Sequence, residues 1–223
     1  MNQEMLQCIK PTPAVDSDNP EVIDFAAENA GRSPEMVQQA ISLYYAVRDK
    51  VRYDPYTLDL SIEGLKASTT LRTRRGWCVS KAILLAACCR SRGIPARLGY
   101  ADVRNHMTTE RMRRLMKTDI FFWHGYTSIH LNGIWVKATP AFNIELCVKF
   151  HLSPLEFDGC SDSIYQPFDL EGNRHMEYLA YRGEFTDVPI EKMMETFIKE
   201  YPVDENWGDA DFDKEVEIET SKE

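Results

Sequence analysis

Apolar positions recur at helical spacing behind Ser33-Pro34-Glu35, at Val37, Ala40, Ile41, Tyr44, Tyr45 and Val51. That period lays one buried stripe along an amphipathic helix, which closes near Tyr53-Asp54-Pro55. Upstream, Asn19-Pro20-Glu21 combines an N-cap side chain with proline in the first turn, predicting a short helix that ends at Gly31. A second long helix is predicted over 78–91. It is rich in alanine and leucine and stops at Gly93, with Pro95 just beyond. Residues 56–76 show neither period and read as irregular, ending in the basic cluster Arg72, Arg74 and Arg75.

Strand signals follow. Residues 96–103 alternate as a strand, and the charged stretch 104–117 reads as a loop or short surface helix. In FFWHGYTSIHLNGIWVKATP two apolar-rich runs flank Asn132-Gly133, a dipeptide suited to the two-residue hairpin turn. With that loop, Leu131 pairs with Ile134, Tyr126 with Thr139, and His124 with Ala141. Alternation then puts His124, Tyr126 and Thr139 on one face of the sheet. Helices first and an antiparallel sheet afterwards make an α+β fold.

Composition narrows the class. The chain has 223 residues, 43% of them apolar, enough for one domain with a sizeable core. No apolar run is long enough for a membrane span, and the first residues, MNQEMLQCIK, lack the basic and apolar regions of a secretory leader. The net charge of −9 disfavours nucleic acid as a partner. Most of that charge lies in 203–223, where nine acidic residues face two basic ones. This segment reads as a solvated, flexible acidic tail, although Trp207 and Phe212 offer a way to pin it to the domain, even across a cleft. The six cysteines include no CxxC pair, so neither a disulfide framework nor a zinc ribbon is expected. A reduced, cytoplasmic setting is the simpler assignment.

Chemistry concentrates on RRGWCVSKAILLAACCR, residues 74–90. Cys78 stands at the predicted start of a helix, where the unpaired N–H groups and the helix dipole favour a thiolate. Gly76 lets the chain turn into that helix. Cys88 and Cys89 lie deep in an apolar run and read as core. A cysteine nucleophile needs a histidine base held by a third group. Among His106, His124, His130, His151 and His175, only His124 sits on a strand with a polar neighbour, Thr139, on the same face. His130 shares that face near the turn and reads as solvent-facing. Trp77 and Trp123, each before a candidate site residue, read as core, with the wall of a substrate groove as the alternative.

The segments GWCVSKAILLAACCRSRGIPARLGY and WHGYTSIHLNGIWVKATPAFN together resemble the transglutaminase-like superfamily of papain-like cysteine enzymes. The resemblance rests on Gly76, Cys78, the run from Gly93 to Arg97, His124, Trp135 and Pro140, and on VRYDP at 51–55. It covers about 34–143 and leaves 144–202 as an ordered extension, within a domain spanning 1–202. It implies a transglutaminase/papain-like fold with Cys78 as nucleophile, His124 as base and Thr139 where the family carries aspartate. Threonine can orient an imidazole but adds no charge, so Asn143 or Asp158 remains an alternative third group, and lost activity another. The implied reaction is cleavage of an amide bond in a peptide or protein substrate. Acyl transfer to amines is the alternative within enzymes, and a non-catalytic binding module the alternative outside them. That chemistry needs no cofactor. Asp158, His175 or Glu177 could border the cleft; a metal site from the same residues ranks low because they lack ligand spacing. No membrane partner is expected, and the sequence assigns no oligomeric state.

Overall fold

Asn19 Oδ1 accepts a hydrogen bond from the Glu21 N–H, and with Pro20 at the first position this starts a helix of ten residues. In chain order the helices are α1 (Gln3–Gln7), α2 (Pro20–Asn29), α3 (Met36–Lys50), α4 (Ile62–Leu65), α5 (Ala67–Thr73), α6 (Cys78–Ser91), α7 (Glu110–Met116), α8 (Ile144–Lys149), α9 (Ile190–Glu200) and α10 (Phe212–Thr220). The strands are β1 (Arg52–Tyr53), β2 (Arg75–Gly76), β3 (Ala96–Asn105), β4 (Ile120–Leu131), β5 (Ile134–Ala138) and β6 (Met176–Phe185). This computed structural model describes residues 3–105, 108–164, 168, 170–172, 175–202, 207–208 and 210–221.

Strands β3 to β6 form an antiparallel sheet in the order β5-β4-β3-β6, so the fold is α+β as expected. The hairpin turns at Asn132 and Gly133, both with positive φ, and Leu131 pairs with Ile134 as the dipeptide requires. The ladder ends at Thr127–Ala138, short of the further pairs expected for Thr139 and Ala141. Beyond that point the chain is captured by another segment: the Thr139 N–H donates to Ser163 O at 2.9 Å.

Helix α6 is the centre of the molecule. Every residue from Cys78 to Arg90 is buried, which is why its apolar residues occur all round rather than as a stripe. Cys88 and Cys89 are wholly buried core residues, as their surroundings in the sequence imply. Lys81, one turn into α6, is also wholly buried, and its Nζ donates to Arg48 O, Val51 O and Ala141 O at 2.9, 2.5 and 2.8 Å. Three carbonyls use all three donors of an ammonium group. Burial pulls this lysine down to about 7, whereas the carbonyls favour the protonated form. The lysine thereby joins the end of α3, the entry to β1 and the segment after β5 to the Cys78 helix.

Two sequence expectations are corrected. Residues 56–76 are not irregular: they hold α4 and α5, and β2 pairs in parallel with β1. Their helices are too short to show a period, and Ser61 caps the first by accepting from the Gly64 N–H. The acidic tail is not wholly solvated either. Helix α10 buries Phe212 and Val216, and Asp213 bonds Arg52 at 2.9 Å, so its charge is partly met by basic residues of the domain. The Phe212 ring packs edge-on against Tyr53 and Tyr56.

Replacing Lys81 by methionine strips three buried carbonyls of their donor. The K81M variant is expected to lose about 3 kcal/mol of stability, read as a lower midpoint in urea unfolding; an unchanged midpoint would show that other groups replace the ammonium.

Candidate active site

Cys78 is the first residue of α6 and 6% exposed. The backbone N–H groups of Gly125, Val79 and Cys78 itself lie near its Sγ, and all three favour a thiolate. Burial outweighs them and pushes the thiol from 9.0 up to about 11. The sequence expectation of a lowered pKa is thus met in its cause and reversed in its sum. The Gly125 N–H reaches the sulfur because β4 comes very close to α6. A Cβ at position 125 would lie 2.8 Å from Val79 Cα, so glycine is required there.

His124 precedes that glycine and is 5% exposed. The chain reaches it through a bulge in the β3–β4 ladder, where Trp123 takes the left-handed φ of 59°. Asp102 holds the bulge by accepting from the Trp123 N–H at 3.2 Å. Arg182 in turn clamps Asp102 at 2.7–3.0 Å and lies over the Trp123 ring. Sequence reading missed this pair, and neither residue carries a local signal for it. Burial lowers the His124 imidazole from 6.5 to about 4, with a further push from His175, so it is neutral at pH 7.

His124 stands between two cavities. The first, of about 30 Å³, is shared with Cys78 and walled mostly by apolar and aromatic side chains, among them Tyr53, Trp77, Phe197, Tyr201 and Trp207. No hydrogen bond joins Sγ to the imidazole in this structure; such contacts often form only once substrate is bound. The second, of about 20 Å³, is shared with Thr139 and His175. Thus Cys78, His124 and Thr139 come together through His124, though Cys78 and Thr139 line different cavities.

The other candidates lie elsewhere. Asn143 accepts from the Tyr53 N–H and donates to Glu145, so its amide is engaged in holding β1. Asp158 is committed to a turn, accepting from Cys160 and Ser161 N–H. His130 is half-buried against Trp135 at the hairpin end, rather than solvent-facing. His151 is exposed beside Glu171. Glu177 pairs across from Arg104 in β6, and His106 lies outside the described residues. Trp123 is core, bonded to Thr196, whereas Trp77 is both buried and part of the Cys78 cavity wall. Among the described residues no group of three His, Cys, Asp or Glu side chains could hold a metal ion, and no helix is long and apolar enough to cross a membrane.

Comparison with known proteins defines the class. The sequence profile of the transglutaminase-like superfamily matches residues 23–140, and the chain belongs to that family. With the α+β fold this defines the chain as a transglutaminase-like domain. No curated protein matches the sequence. Among solved structures, one provisionally classed as a cysteine protease, from Cytophaga hutchinsonii, is similar at 17% identity with a TM-score of 0.49, over 82% of this chain and 55% of its own. Another, provisionally classed as a protease, from Parabacteroides distasonis, shares 14% identity with a TM-score of 0.37, over 56% of this chain and 25% of its own. The chain therefore spans about half and a quarter of these two proteins.

Trp207 lines both the Cys78 cavity and a neighbouring groove. Its Nε1 donates to Pro55 O at 3.1 Å, and its ring packs edge-on against Tyr56. Beyond it an open apolar groove of about 270 Å³ shares Leu58, Phe197, Tyr201 and Trp207 with that cavity. The rise to about 11 leaves roughly a hundredfold less thiolate than at 9.0. W207A is expected to recover about tenfold of this: Cys78 alkylation by iodoacetamide, followed by peptide mass spectrometry, should quicken and its rise with pH shift to lower values. Equal rates in both proteins would mean that Trp207 does not gate the thiol.

Proposed function

We propose that this protein is a cytosolic thiol hydrolase that cleaves an amide bond in a peptide or peptide-like substrate through an acyl-thioester on Cys78. The observation that carries this reading is the shared cavity of Cys78 and His124, with the sulfur at a helix N-terminus among the N–H groups of Val79 and Gly125. The thiol is protonated and the imidazole neutral at rest, so the base removes the thiol proton as the sulfur attacks. The S–C bond forms and the carbonyl becomes an oxyanion, which backbone N–H groups at the helix start can stabilise. Imidazolium then protonates the leaving amine and the C–N bond breaks. Water, activated by the neutral imidazole, attacks the thioester, releasing the acid and restoring the thiol. This sequence needs no cofactor. Aromatic walls and an apolar groove suit a peptide chain. Six unpaired cysteines, including exposed Cys160, suit a reducing compartment.

One observation favours a second reading, that of a binding module retaining the fold: the thiol is enclosed and its pKa is raised. An epoxysuccinyl peptide separates the two. Under the hydrolase reading it labels Cys78 in preference to exposed Cys160, and H124A slows that labelling by about a hundredfold. Labelling of Cys160 alone, or indifference to H124A, would sink the enzyme. Hydroxylamine addresses the remaining choice: hydrolysis in its absence and hydroxamate in its presence mark an acyl-enzyme open to water, whereas product only with an amine marks a transferase.

A further inference from the structure

Behind the base, on the side where the family carries a carboxylate, lies the second cavity. Its wall includes His124, Thr139 and His175, and the rest is mostly apolar: Ala141, Phe142, Leu155, Ile164 and Met176 complete it with Cys147. His124 Nε2 is buried with no hydrogen-bond partner among the described protein groups, and Thr139 Oγ1 is buried beside the Tyr178 hydroxyl with acceptor capacity to spare. Buried polar atoms of this kind cost stability unless they are met. His175 immediately precedes β6, is 2% exposed and packs its ring against Phe142. It also acts on the His124 imidazole electrostatically. At about 20 Å³ the cavity exceeds the roughly 10–15 Å³ that one water requires, and it offers that water polar partners.

We propose that His175 is the positioning residue for His124, and that the two imidazoles and the Thr139 hydroxyl together hold one water in place of the family's carboxylate. In this arrangement the water accepts from His124 Nε2–H and donates to Thr139 Oγ1 and to a ring nitrogen of His175. Fixing the proton on Nε2 leaves Nδ1 as the lone-pair nitrogen for the thiol. The His124 imidazole is neutral, and a water suits this mostly apolar enclosure where a lone carboxylate would be costly. The base then works as neutral imidazole rather than as half of a standing ion pair. The proposal rests on the hydrolase reading for its consequence in catalysis, but not for the coupling between the two rings.

The test uses the full chain with four substitutions: H124A, H175F, H175N and T139V. Two quantities are read, the rate of Cys78 alkylation by iodoacetamide and the imidazole nitrogen shifts of His124 in histidine-labelled protein. H175F is expected to slow Cys78 by about tenfold and to move the His124 nitrogen shifts toward a mixture of tautomers. H175N keeps a hydrogen-bonding side chain and should recover most of that loss, a rescue that a packing role would not produce. T139V removes one partner of the water and should fall between. Unchanged rate and shifts in H175F overturn the proposal, as does an H175N loss equal to that of H175F. If H175F does not fold, H175N near wild type together with a slowed T139V supports it, and T139V at the wild-type rate overturns it. If H124A leaves the Cys78 rate unchanged, the hydrolase reading falls, and the nitrogen shifts alone then decide the role of His175.

Discussion

The contact between α6 and β4 at Gly125 governs the site. With a Cβ at 125 placed 2.8 Å from Val79 Cα, no other residue fits without moving the helix off the sheet. That approach delivers the Gly125 N–H to the Cys78 sulfur and sets the preceding residue, His124, on the wall of the same cavity. Deeper in the contact the Thr127 hydroxyl donates to Ala82 O at 2.9 Å, and Lys81 ties the opposite side of α6 to α3 and to the chain leaving β5. The helix is therefore held on both sides close to the residue whose position matters most.

Enclosure has an electrostatic consequence that a helix N-terminus cannot offset. Three N–H groups favour the thiolate, yet removal of water raises the thiol, and the same removal lowers the imidazole. Both shifts favour the uncharged pair. Among the described residues no carboxylate, lysine or arginine lines either cavity; Arg182 and Asp102 brace the bulge beneath His124, and Asp213 and Glu215 fasten α10 near Arg75 and Arg111. The interior around the imidazole holds neutral groups, Thr139 and Tyr178 among them.

Much of this was legible along the chain. Asn19-Pro20 marks a helix start because capping is a contact between residues two or three apart, and Asn132-Gly133 marks the hairpin because its φ angles belong to the turn alone. Short elements were not legible. In α4 and α5 no period accumulates, and the fate of Thr139 depends on Ser163, more than twenty residues away. Composition likewise suggested a solvated tail, because a count of charges cannot see the arginines that receive α10.

The sequence by itself determined the class: a cysteine at a helix start, a histidine on a following strand, and a hairpin that orders the strands. These are local signals, carried by neighbours in the chain. Only the tertiary structure decided how the site stands, with Trp207 in the wall of the thiol's cavity, a bulge before His124, and His175, just ahead of β6, lining the second cavity beside the imidazole. Burial, bulges and long-range neighbours come from packing, and packing sums contacts between segments whose separation in sequence says nothing of their distance in space.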